Sequence, residues 1–97
     1  MAVLKLSLSK SPQNEVLVYG NYESGDEPVF IERVIVEELD DRRNTIGAYS
    51  HYINRTIGPG QGSYLLISQP INGKASRASA RYIEIEEEVK SDLLQLS

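Results

Sequence analysis

A single histidine, His51, stands in a chain that has no cysteine, and these two counts narrow the chemistry at once. A serine triad or a histidine general base would have to use His51. Thiolate nucleophiles, disulfides and thiolate metal sites are excluded. A transition-metal site would have to draw mostly on carboxylates, which suit calcium or magnesium better, and no Asp-x-Asp-x-Asp-Gly spacing occurs. Carboxylates come in adjacent groups, Glu37-Glu38, Asp40-Asp41 and Glu86-Glu87-Glu88. Neighbouring acids on a strand point to opposite faces, whereas a glycosidase-type pair must face itself across one cleft. These groups therefore read as solvated charge. Gly58-Pro59-Gly60-Gln61-Gly62 has the glycines of a phosphate loop in the wrong setting, after an expected helix and before a strand instead of the reverse. Lys74 lacks the upstream glycine and the Ser/Thr neighbour of a Walker motif. No catalytic residue, metal ligand or cofactor is assigned, and the chain reads as a non-enzyme.

The order of charge is the more informative signal. Between Glu15 and Asp41 there are nine acids and one base, Arg33. From Arg42 to Ile83 there is no acid, and the bases are Arg42, Arg43, Arg55, Lys74, Arg77 and Arg81. Acids return at Glu84, Glu86, Glu87, Glu88 and Asp92, against Lys90. A net charge of −4 thus conceals a basic middle between acidic ends. Arginine dominates that middle and suits bidentate contact with carboxylate or phosphate. These six bases, with the adjacent aromatic Tyr82, form the candidate binding set. The competing reading is internal neutralisation, with the basic segment laid beside an acidic strand. Tyrosine supplies six of the seven aromatics; tyrosines on a sheet can anchor a partner or rim the core.

The elements that must position these groups follow from periodicity. Leu4, Leu6 and Leu8 alternate with polar residues as a half-buried strand. Ser11-Pro12-Gln13-Asn14 is a turn, and Val16 to Tyr19 returns to pair with the first strand. Ile31, Val34, Ile35 and Leu39 have helical spacing, but β-branched residues crowd Val29 to Val36, so a long central strand is expected over Val29–Leu39. Ile46, Tyr49, Ile53 and Ile57 share one face at a 3.6-residue period, predicting a helix from Thr45 to Ile57 that Gly58-Pro59 stops. On that helix His51 lies opposite the apolar face and is exposed. Tyr64–Ile67 and Tyr82–Ile85 complete the strands, with Asn72-Gly73 as a type I′ hairpin turn before the last. Val89 to Leu96 forms a short helix or a frayed tail.

The expected architecture is α+β: a small mixed or mainly antiparallel sheet of about five strands with one helix on one face. Its order is β-β-β-α-β-β, in a single domain over 1–97. Met1 to Lys10 is not a signal-peptide block, no apolar run reaches the ~20 residues of a transmembrane helix, and missing cysteines favour a reducing interior, so cytoplasmic placement is expected. The functional expectation is a non-catalytic protein-interaction module, self-associating through strand edges and a charge-segregated surface. The alternative is a nucleic-acid or phosphate-ligand binder using the basic segment 42–83, with a small enzyme third.

Overall fold

Alternation of apolar and polar side chains builds the first sheet. In β1 (Val3–Lys10) Leu4 and Leu6 are buried while Lys5 and Ser7 face solvent; β2 (Glu15–Ser24) buries Val16, Val18 and Tyr22 in the same phase. The turn between them closes with Asn14 donating its N–H to the Ser11 carbonyl and taking the positive φ that Asn tolerates. The structure, a computed structural model, describes residues 2–84 and 88–96.

The second sheet is nucleated by β-branched residues. In β3 (Val29–Leu39) Val29 and Ile31 point inward, the phase shifts at Glu32-Arg33, and Val34, Val36 and Glu38 point inward beyond it. That shift, beside a slip whose extra residue is on β4, accompanies the helix-like spacing between Ile31 and Val34. β3 pairs with β4 (Thr45–Ile57), a strand where the 3.6-residue period predicts a helix. No helix occurs among the described residues, so the α+β expectation is replaced by an all-β fold. The physical reason is that Ile46, Tyr49, Tyr52, Ile53, Thr56 and Ile57 are β-formers, joined to β3 by a tight turn that aligns the two in register. Inward positions on β4 are Gly47, Tyr49, His51 and Ile53, whereas Ile46 faces outward at 38% exposure.

β5 (Gly62–Pro70) leaves the second sheet and pairs with β2, giving the order β1-β2-β5. Gly58 makes the crossing possible: its φ is +79°, and a Cβ there would lie 2.4 Å from the Tyr22 ring. β6 (Arg77–Ile83), β7 (Glu88–Lys90) and β8 (Leu94–Gln95) complete the other sheet, ordered β4-β3-β6-β7 with β8 also on β6. The expected terminal helix over Val89–Leu96 is therefore two short strands. Asn72-Gly73 makes no hairpin, because β5 and β6 belong to different sheets; neither residue has positive φ, and the turn closes from Ala75 N–H to the Asn72 carbonyl. Ile85, Glu86 and Glu87 lie outside the described residues. The other expected strand segments fall within β1, β2, β3, β5 and β6, except that β6 ends at Ile83 and leaves Glu84 outside it.

The core fills the space between the sheets with Val16, Val18, Ile31, Val34, Val36 and Ile57, set against the small Ala78 and Ala80 of β6. Each large member contributes about 1.5–3 kcal/mol by leaving water. No helix among the described residues is long and apolar enough to cross a membrane.

Candidate assembly interface

Two strands edge the same flank of the sandwich, β4 in one sheet and β5 in the other. The first is open. β4 pairs only with β3, and its residues from Thr45 to Asn54 include no Lys, Arg, Asp or Glu. Its register with β3 slips twice, and in both places the extra residue is on β4. Ile46 is extra where Glu38 pairs with Gly47 and Leu39 with Thr45; Ile53 and Asn54 stand opposite Glu32 where Ile31 pairs with Arg55 and Arg33 with Tyr52. Asn54 takes a φ of 44° there. Between the slips, Gly47–Tyr52 is regular strand with Ala48, Ser50 and Tyr52 exposed, Tyr52 at 64%. Arg33 covers one face of the Tyr52 ring, 5.6 Å from its centre.

Polar contacts hold β4 from its inner side. Glu38 is fully buried, and its Oε2 accepts the Asn72 N–H at 2.9 Å, tying β3 to the β5–β6 connection. The Tyr49 hydroxyl lies beside this carboxylate: the Glu38 charge first, then the hydrogen bond between them and burial, push it above the ordinary tyrosine value. Gly47 leaves room for the ring, since a Cβ there would lie 2.8 Å from the Tyr49 hydroxyl. His51, expected on the outside of a helix, instead points inward, its Nε2 2.7 Å from the Gln69 Oε1 of β5. Its partner is an amide, not the acid that would orient a general base. Among the described residues no group of His, Asp or Glu gathers to hold a metal ion.

The six bases of the candidate set do not form one surface. Arg81 pairs with Glu37 on β3 and, at 3.5 Å, with Glu88 on β7, so here the basic segment is neutralised within the fold. Arg77 donates to the carbonyls of Asp40 and Asp41, latching the β3–β4 turn. Arg55 donates to the Leu65 carbonyl at 2.9 Å and lies 5.9 Å from the Tyr64 ring centre. Tyr82 is core: 3% exposed, its hydroxyl donating to the Leu4 carbonyl. Arg42, Arg43 and Lys74 remain, all exposed and without an ion pair among the described residues. Asp40 makes no ion pair with them, its carboxylate accepting the N–H groups of Asn44 and Arg42 in the turn, although the Arg42 charge acts on it. Those backbone bonds, Asn44's first, hold its pKa below the ordinary value.

The open edge was hidden in the sequence by its half-burial, although the charge gap that marks it was visible. Glu38 was also missed as a buried group. Its signal was phase: it stands two residues after Val36 and four after Val34, on their face. Comparison of the chain with protein-family models, curated proteins and solved structures finds no match.

Proposed function

We propose that this chain is a non-catalytic assembly module that self-associates by laying β4 antiparallel against β4 of a second copy. The observation that carries this reading is the uncharged, regular stretch Gly47–Tyr52, with one row of backbone groups unpaired by any described strand. An open edge with neither charge nor proline is a template for another strand, and identical strands meet about a two-fold axis. With the axis at Ser50, outward Tyr52 of one copy lies opposite Ala48 of the other, large against small, and inward Tyr49 lies opposite His51. Neither pairing places like charges together. So short an edge buries less than the ~1,200 Å² of a stable complex, so the dimer is weak and concentration-dependent. Anion binding by the segment 42–83 has less support, because Arg55, Arg77 and Arg81 are already engaged.

Light scattering with size exclusion tests the reading. At high salt, wild type should show a mass rising above one chain with concentration, and Ser50→Lys should stay at one chain with unchanged circular dichroism. The exposed lysine would meet its own copy across the axis. A Ser50→Lys protein that assembles like wild type would remove β4 from the interface.

A further inference from the structure

The strands run the length of the molecule, and they sort the remaining charge to its two ends. At one end the turns 11–14, 40–44 and 71–76 converge, tied by Ile71 N–H to the Asn14 carbonyl and Ser76 N–H to the Leu39 carbonyl. This end carries Arg42 and Arg43 at the tip of the β3–β4 hairpin, with Lys74 on the adjoining turn. The other end of β3 lies about 33 Å away at 3.3 Å per residue, along a molecule whose longest dimension is 41 Å. There the β2–β3 loop and the end of β6 flank a cleft of about 430 Å³. Leu4, Val29, Phe30 and Tyr82 give it apolar walls, and Glu27 and Glu84 stand at its sides. Neither glutamate makes an ion pair among the described residues. Phe30 is 37% exposed although it lines this cleft.

We infer that the Arg42-Arg43 tip of one copy docks in the Glu27/Glu84 cleft of the next. The tip projects the guanidinium groups of Arg42 and Arg43, which with Lys74 outnumber Asp40 and Asp41 at this end. The cleft offers two carboxylates without an ion pair among the described residues, the groups that arginine contacts bidentately. The occupant is a second copy because the complementary charge lies on this chain, at the opposite end. A contact between unlike ends is heterologous, so it continues from copy to copy as a row and does not close as a pair. This inference rests on the self-association reading but uses a different surface from β4.

Charge reversal in the Ser50→Lys background, where β4 pairing is silenced, separates the two contacts. At low salt the Ser50→Lys protein is expected to form short chains whose mass falls as salt rises, because exposed charge is screened within about 10 Å at 0.1 M. Adding Arg42→Glu with Arg43→Glu, or Glu27→Arg with Glu84→Arg, should weaken association by about tenfold or more. An equimolar mixture of the two reversed proteins should restore it, since each then supplies the other's missing charge. Arg43 has a φ of 65°, so Arg42→Ser with Arg43→Asn gives a further loss-of-charge variant suited to that backbone. A Ser50→Lys protein that is monomeric at low salt, or reversed proteins that fail to recover on mixing, would overturn the end-to-end contact while leaving the β4 reading intact.

Discussion

β4 and β5 are edge strands on the same flank of one molecule, and they treat their free backbone groups in opposite ways. β5 is blocked. Leu66 is an extra residue where Val18 pairs with Ile67 and Tyr19 with Leu65, Arg55 occupies the Leu65 carbonyl, and the strand ends at Pro70. A bulge, a charge and a proline are the devices by which sheets refuse further strands. β4 has its two slips near its ends and nothing between them. On the far flank, β7 and β8 are too short to template a partner, and the edge strand β1 carries Lys5 and Lys10, the Lys10 Nζ donating to the Leu96 carbonyl, so charge guards it. The lesson is that protection of the other edges leaves one regular stretch, Gly47–Tyr52, as the place where a second chain can add.

Three substitutions sharpen this contrast, in decreasing order of effect. Ile57 is 1% exposed and anchors β4 where the chain crosses to β5. Ile57→Ala should cost about 2–5 kcal/mol in chemical denaturation, as for other buried aliphatics. A small loss would mean that β4 is held by its polar contacts and not by the core. Arg55→Ala should cost only about 1 kcal/mol, the net worth of one exposed hydrogen bond and its packing. It should nevertheless speed amide exchange over 62–67, because β5 loses its cover; unchanged exchange there would show that the bulge blocks β5 alone. Tyr52→Ala should change monomer stability by less than about 0.5 kcal/mol, as exposed surface substitutions do. A larger effect would assign Tyr52 to the fold and not to the edge.

How much of this was legible depends on burial. Strands with one buried face announced themselves: Leu4 and Leu6 alternate cleanly, and the β-branched run Val34-Ile35-Val36 marked a central strand despite the spacing of three from Ile31 to Val34. β4 misled because an edge strand has no clean face. Its inner positions include Gly47 and His51, its outer ones Ile46 and Tyr52, so the period-two signal is eroded and Ile46, Tyr49, Ile53 and Ile57 mimic a helix. Gly58 has the positive φ that a helix stop also uses, but it follows a strand. Asn72-Gly73 carried a hairpin signal that the fold overrides, because Glu38 and Ala75 fix that segment as a crossing between sheets. The arginine cluster failed for a similar reason. Order along the chain showed an acid-free segment, but only register reveals that Arg81, opposite Ile35, lies diagonally across from Glu37 on the adjacent strand.

The most direct test of the open edge uses β5 as its internal control. Backbone amide exchange is measured residue by residue on the wild-type chain at low and high protein concentration. The account predicts that alternate amides within Gly47–Tyr52 gain protection as concentration rises, while those of residues 62–67 on β5 keep the same rates. Exchange across Gly47–Tyr52 that is independent of concentration, or new protection appearing on β5 instead, would contradict it.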